Sequence, residues 1–197
     1  MPASEPLAPR PENRRQRVLE AAASRFLRHG YSAASMRDIA ADAGMQVGSI
    51  YYHFPSKADL LTAVHQEGLR RIKTAVTEAL SGRQDPWERL EWACITHMEV
   101  LLHGGDFFQT VMRELPRETD PDWKHLVALR DDYEAIFTGL LDALTLPADM
   151  DRRKVRLMLL GAMNYSPMWY RSGDDAPANI ARNFIEVLRR GLEPGAP

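Results

Sequence analysis

A single cysteine, Cys94, stands among 197 residues, so no intrachain disulfide can form and no cysteine-based zinc pattern exists. It sits in an apolar helical stretch and reads as a buried structural thiol. The sequence also lacks any apolar run long enough to span a bilayer, and its opening MPASEPLAPRPENRRQR has no apolar core of the kind a secretory signal needs. A soluble, cytoplasmic chain without membrane contact is the expectation. No nucleophile elbow, phosphate-binding glycine loop or dinucleotide fingerprint is present. Glu99 and His103 share a helix face at i, i+4 but have no third ligand, so neither a metal nor a cofactor is expected and an enzyme is disfavoured.

A large excess of either charge sign is also lacking. The net charge is −2, which argues against a protein that coats nucleic acid throughout. Its distribution is uneven: residues 1–57 carry 8 Lys/Arg against 5 Asp/Glu, whereas residues 58–197 carry 17 against 22. The positive end is therefore N-terminal, as phosphate attraction requires.

What is there begins with Ser35 to Lys57, SMRDIAADAGMQVGSIYYHFPSK. Met36, Ile39, Ala40 and Ala43 fall at helical spacing, and Ser35 with Asp38 forms a capping box to start that helix. Gly44 ends it, supplying the positive φ that a tight helix-to-helix turn needs. Val47, Ile50 and Phe54 repeat the helical period. Two such short helices read as a helix-turn-helix, the second presenting outward residues to the major groove. Gln46, Val47, Gly48, Ser49, Tyr51, Tyr52 and His53 offer hydrogen-bonding and apolar groups in a small space, with Arg37 and Lys57 flanking them as phosphate contacts. An ordinary helical hairpin, with Tyr51 and Phe54 as packing residues, is the alternative reading of the same spacing.

The run DIAADAGMQVGSIYYHFPSKADLL resembles the DNA-binding signature of the TetR family of transcriptional regulators. The resemblance implies an all-helical homodimer with an N-terminal three-helix DNA-binding domain and a C-terminal domain that binds a small effector and dimerises. It places DNA contacts at Arg37, Val47, Gly48, Ser49, Tyr51, His53 and Lys57. Gln46 departs from the serine or threonine cap common in that family, and Val47 from a longer polar residue.

A proline-rich basic arm, residues 1–12, precedes a helix expected from about Asn13 to His29 with Val18, Leu19, Ala22, Ala23, Phe26 and Leu27 as its stripe and Gly30 as its stop. The DNA-binding domain thus spans 13–57 and the effector and dimerisation domain 58–197. After Pro55, Ser56 caps a fourth helix running from Lys57 toward Leu80 and joining the two domains, with Gly68 either bending it or marking close packing. Further helices are expected over Trp87 to Leu102, over a segment with Phe107 and Phe108 stopped by Pro116, and over Trp123 to Leu144. Nine methionines and several aromatics suit an adaptable apolar pocket, or plain core. An effector is expected between the fourth helix and helices carrying Trp92, Phe108, Met112, Met163 and Trp169.

Val155 to Arg171, VRLMLLGAMNYSPMWYR, is apolar nearly all round and interrupted by Pro167, so it needs two buried sides. With a last helix over Ala178 to Arg190, stopped by Gly191, it can build a four-helix dimer bundle through Leu160, Ile180, Phe184, Val187 and Leu188. The segment GAMNYSPMWYRSG is similar to a motif of TetR-family members that respond to acyl-coenzyme A thioesters, which implies Asn164, Trp169, Tyr170 and Arg171 near the effector. The expectation is a repressor that binds a palindromic operator as a homodimer and is released by a small apolar or acyl-type molecule. A helical protein-interaction adaptor, or a regulator activated by its ligand, are the other readings.

Overall fold

The structure, a computed structural model, describes residues 11–113, 122–171, 173 and 175–192, and every regular element among them is an α-helix. In chain order these are α1 (Pro11–Ala33), α2 (Met36–Asp42), α3 (Val47–His53), α4 (Lys57–Ala79), α5 (Pro86–His103), α6 (Asp106–Arg113), α7 (Trp123–Asp142), α8 (Arg152–Asn164), α9 (Ser166–Trp169) and α10 (Pro177–Leu192). None is long and apolar enough to cross a membrane.

The helix starts follow from their caps. Ser35 Oγ accepts from the Asp38 amide at 3.2 Å and donates to the Asp38 carboxylate, and Ser56 does the same for Asp59. Asp85 caps α5 through the Glu88 amide, with Pro86 in the first turn where a missing N–H costs nothing. Gly30, at φ +78, breaks the helical path of α1 where the sequence places its stop, although a further short turn carries the element to Ala33. Gly191, by contrast, lies inside α10 and stops nothing. The segment with Pro167 divides into α8 and the single turn α9, because proline has no N–H with which to continue the helical ladder. The arm expected over 1–12 lies outside the described residues except for Pro11 and Glu12, which already belong to α1; Leu115 and Pro116 also lie outside them.

One hydrophobic core runs the length of the molecule, from Val18, Leu19 and Phe26 through Val64 and Ile72 to Phe137, Met163 and Leu188. Burying these side chains at about 1.5–3 kcal/mol each is what holds helices with little mutual sequence separation and those far apart in one body. Cys94 is fully buried within it, and burial pushes its thiol well above the usual range, so it stays an inert packing group. Gly68 is a packing glycine: a Cβ there would meet Val111 Cγ2 at 2.8 Å, so α4 and α6 touch closely at this point.

Candidate functional site

The helix-turn-helix is assembled by two arginine ties from α1 around a small core of Phe26, Ile39, Ile50 and Phe54. Gly44 takes φ +63 and leads into α3, while Arg17 reaches across from α1 to donate to the Ala43 carbonyl at 2.6 Å. Arg25 grips Asp42 with two bonds of 2.7 Å, fixing α2 to α1. Ile50 faces inward and is fully buried. Its neighbours Gln46, Val47, Gly48, Ser49, Tyr51 and Tyr52 are all exposed, Tyr52 at 86%, and His53 is half-buried against Tyr52. This is a seven-residue helix held at its back and bare at its front. Nothing lies within 4 Å of a Cβ built at Gly48, leaving its backbone open to close approach. Gln46 makes no side-chain cap.

Arg37 is exposed on α2 and so free to meet a partner. Lys57 is not so placed. Its ammonium donates to the carbonyls of Tyr31 (2.7 Å), Ser32 (3.3 Å) and Ala34 (2.8 Å) and lies 4.4 Å from the Tyr31 ring centroid. An ammonium has three protons, and all are engaged in closing the end of α1.

The second feature is a cavity of about 410 Å³ between α4, α5, α6, α7 and α8. Its wall is mainly apolar: Leu69 and Ile72 from α4, Leu101 from α5, Phe108, Val111 and Met112 from α6, Trp123, Leu126 and Val127 from α7, and Leu160 from α8. Polar groups are few: His65, His97, Arg130, Tyr133, Glu134 and Asn164. Three of them form a chain. Asn164 Oδ1 can only accept, so His97 Nε2–H donates to it at 3.0 Å, and the neutral ring's Nδ1 then accepts the Tyr133 hydroxyl at 2.6 Å. Burial drives the His97 pKa down to about 4 and Tyr133 well above 10, so the imidazole is uncharged and the phenol keeps its proton.

The cavity is wired to the helix-turn-helix twice. α4 lines it with His65, Gly68, Leu69 and Ile72 and carries Lys57 at its other end. α6 lines it with Phe108, Val111 and Met112, while Thr110, fully buried on its opposite side, donates to the Ala23 carbonyl of α1 at 2.8 Å. Arg71 reinforces this junction, stacked 4.2 Å over Phe107, bonded to Glu67 at 2.7 Å and within 3.8 Å of Glu20 on α1.

Two sequence models match the chain: "Bacterial regulatory proteins, tetR family" over residues 18–64, and "Tetracyclin repressor-like, C-terminal domain" over residues 83–192. The chain belongs to the TetR family. Among its relatives is the HTH-type transcriptional repressor KstR2 of Mycobacterium tuberculosis (strain ATCC 25618 / H37Rv), 31% identical over 187 residues that cover 91% of this chain and 93% of KstR2. The HTH-type transcriptional activator FasR of Mycolicibacterium smegmatis (strain ATCC 700084 / mc(2)155) is 28% identical over 168 residues, covering 84% of this chain and 75% of FasR. In fold the chain is similar to AibR, crystallised with isovaleryl coenzyme A and operator DNA, with a TM-score of 0.78, 21% identity and coverage of 88% of this chain and 97% of AibR. As a TetR-family member the protein is a DNA-binding transcriptional regulator, and α2–α3 is its helix-turn-helix.

Of the residues expected at a TetR-type effector pocket, Phe108, Met112 and Asn164 line the cavity. Five others do not. Trp92 is half-buried beneath Arg83, 4.2 Å from its ring, and Met163 is consumed in the core. Trp169 and Arg171 are exposed beyond α8, and Tyr170 packs on His103. They lie in and after the separate turn α9, past the end of α8 at Asn164, which is the last residue of the chain to line the cavity among the described residues. Leu160, expected at a dimer interface, lines the cavity instead, and Ile180 and Leu188 are buried within their own protomer against the rest of the core. Phe184 is half-buried, whereas Val187 is 73% exposed. The apolar groups that α8–α10 do leave in water are Leu157, Met158, Tyr165, Met168, Trp169 and Val187. Sequence reading missed His97, Tyr133 and Trp123 as cavity residues, because a pair 67 positions apart, such as His97 and Asn164, has no local signature. Glu99 and His103 do meet, at 3.1 Å on the surface, but no group of three or more metal-capable side chains exists among the described residues.

Proposed function

We propose that this TetR-family regulator is a homodimeric repressor that binds a palindromic operator and is released when a small apolar or acyl-type effector, such as the acyl part of a coenzyme A thioester, fills the cavity. The observation that carries this reading is the double wiring. A ligand between α4 and α6 presses on two cavity walls that also pack on α1. Such a ligand changes DNA affinity solely by favouring one placement of the recognition helices over another. Half-sites roughly 34 Å apart tolerate little error in that placement, so a small displacement near Leu69 or Val111 suffices.

The exposed face of Leu157, Met158, Tyr165, Met168 and Val187 supports a second copy of the chain as the partner. It is apolar and carried by α8–α10, separate in sequence from the DNA-facing residues of α2 and α3, so a second copy can cover it while the recognition helices stay free. Gln46 to His53 then read base edges, Arg37 neutralises phosphate, and Lys57 holds α4 against α1. Repression is favoured by KstR2, the relative with the wider coverage and a repressor by name. FasR is an activator by name, which keeps open the reading of a regulator that activates. Selection of random DNA by the purified protein, followed by binding of the selected site with and without ligand, decides between them. Release by ligand is the expected result. Tightening by ligand would show a regulator engaged rather than released by its ligand, and absence of any salt-dependent DNA affinity would favour a protein-interaction adaptor.

A further inference from the structure

The cavity holds a fixed hydrogen-bond direction as well as a volume. Tyr133 donates to His97, and His97 donates to Asn164 Oδ1, so the amide carbonyl of Asn164 is taken and its orientation is set from behind by two groups no more than 5% exposed. The remaining half, Nδ2, has no hydrogen-bond partner among the described residues and belongs to a side chain that lines the cavity. The nearest full charges offer little to an anion. Glu134 lies 3.6 Å from Arg130 and 3.6 Å from Arg156, and Arg130 also meets Asp131 at 3.2 Å, so the one Lys or Arg lining the cavity among the described residues is already paired. An isolated carboxylate moved into such a space loses its hydration without gaining an unpaired cation. A carbonyl oxygen loses far less and is matched by one N–H donor.

We infer that Asn164 is the specificity-determining donor of this cavity, its Nδ2 bonding the carbonyl oxygen of an uncharged acyl derivative whose hydrocarbon part lies against Phe108, Met112 and Ile72, so that the thioester of an acid binds and the free acid does not. The inference rests on the proposed ligand-responsive role of the cavity and names what that ligand must carry. Tyr133 and His97 are positioning residues: they touch no ligand atom in this scheme and act by keeping the amide nitrogen, not the oxygen, toward the ligand. In a coenzyme A thioester the acyl group and its carbonyl occupy the cavity while the phosphorylated portion stays outside.

The test uses three probes on the full chain: the neutral apolar dye N-phenyl-1-naphthylamine, the octanoyl thioester of N-acetylcysteamine, and octanoate. The dye reports whether the cavity accepts apolar molecules at all, and displacement of the dye measures the other two. The thioester is expected to bind at least tenfold more tightly than octanoate. Asn164→Asp keeps an acceptor for His97 and removes the N–H donors, so it should lose tenfold or more in thioester affinity while dye binding stays within twofold. Tyr133→Phe frees the His97 tautomer and should lose several-fold in thioester affinity with dye binding again unchanged, a readout available even if the Asp variant fails to fold. Octanoate binding as tightly as the thioester, or both variants keeping full thioester affinity, would overturn the assignment of Asn164 while leaving the cavity as a ligand site. A parent protein that binds none of the three would overturn the ligand-responsive reading itself.

Discussion

Lys57 Nζ lies 2.7 Å from the carbonyl oxygen of Tyr31, and with Ser32 and Ala34 accepting from the same ammonium, the first turn of α4 is bolted to the end of α1. The charge that a DNA-binding reading assigns to phosphate is spent inside the protein. Lys57→Ala should therefore lower stability by about 1–3 kcal/mol, the range for charge-assisted bonds left unmade. Urea unfolding checks this. An unchanged midpoint, together with a salt dependence of DNA binding that falls by a whole phosphate contact, would restore Lys57 to the interface.

Arg37 is the contrasting case, exposed on α2. Arg37→Ala should weaken binding to all DNA sequences alike and lower the slope of log affinity against log salt by about one unit. Titrations at four or five salt concentrations, on selected and on random duplexes, measure both. Loss confined to the selected duplex would mean that Arg37 reads a base.

Tyr51→Ala and His53→Ala bear on base readout. Either should weaken binding to the selected operator by roughly 1–3 kcal/mol, with preference relaxed at one base pair, if the side chain meets a base edge. Tyr51 is half-exposed and His53 half-buried, so Tyr51 is expected to give the larger effect. Unchanged operator affinity in a folded variant would remove that residue from the interface.

The helix-turn-helix was legible because its helix starts and turn are set locally, by a Ser35–Asp38 cap, a glycine at φ +63 and two short apolar periods, whereas the ties of Arg17 and Arg25 from α1 to the Ala43 carbonyl and to Asp42 left no local sign. α8 was legible only as a helix needing two buried sides. Which side faced inward was not, since Leu157, Met158, Leu159 and Leu160 are equally apolar and only packing against α5 and α7 selects Leu159 and Leu160 for burial. The cavity's polar chain joins α5, α7 and α8 across long sequence separations, and no periodicity announces such a meeting.

In the proposed dimer the outward face, not the inward one, carries assembly. Met158→Glu or Val187→Glu places a charge where 60% and 73% of the residue is exposed in the single chain, so each should leave the fold intact, give a monomer and lose operator affinity. Leu160→Glu puts the charge into the cavity wall and should unfold the chain. Light scattering with circular dichroism separates these outcomes, and an undisturbed dimer for both surface variants would place the interface elsewhere.

His97 makes stability depend on pH. Its folded pKa, about 4, lies below the unfolded value near 6.5, so the folded state resists a proton that the unfolded chain accepts. The stabilisation is complete above pH 6.5 and declines as pH falls through that value toward 4, by about 3 kcal/mol over the whole window. His97→Gln, which does not titrate, should flatten this part of the profile. Chemical unfolding at half-unit intervals from pH 4 to 7 tests it, and an equal slope in parent and variant would assign the titration to another group.

The central claim is that the cavity and the recognition helices share one equilibrium through α4 and α6. Calorimetric titration of the octanoyl thioester into the dimer, free and saturated with operator, measures that sharing most directly. Coupling of order 1–3 kcal/mol means that operator should weaken thioester binding about 5- to 150-fold, with the thioester weakening operator binding by the same factor. Equal affinity for the thioester in the two titrations would contradict the account.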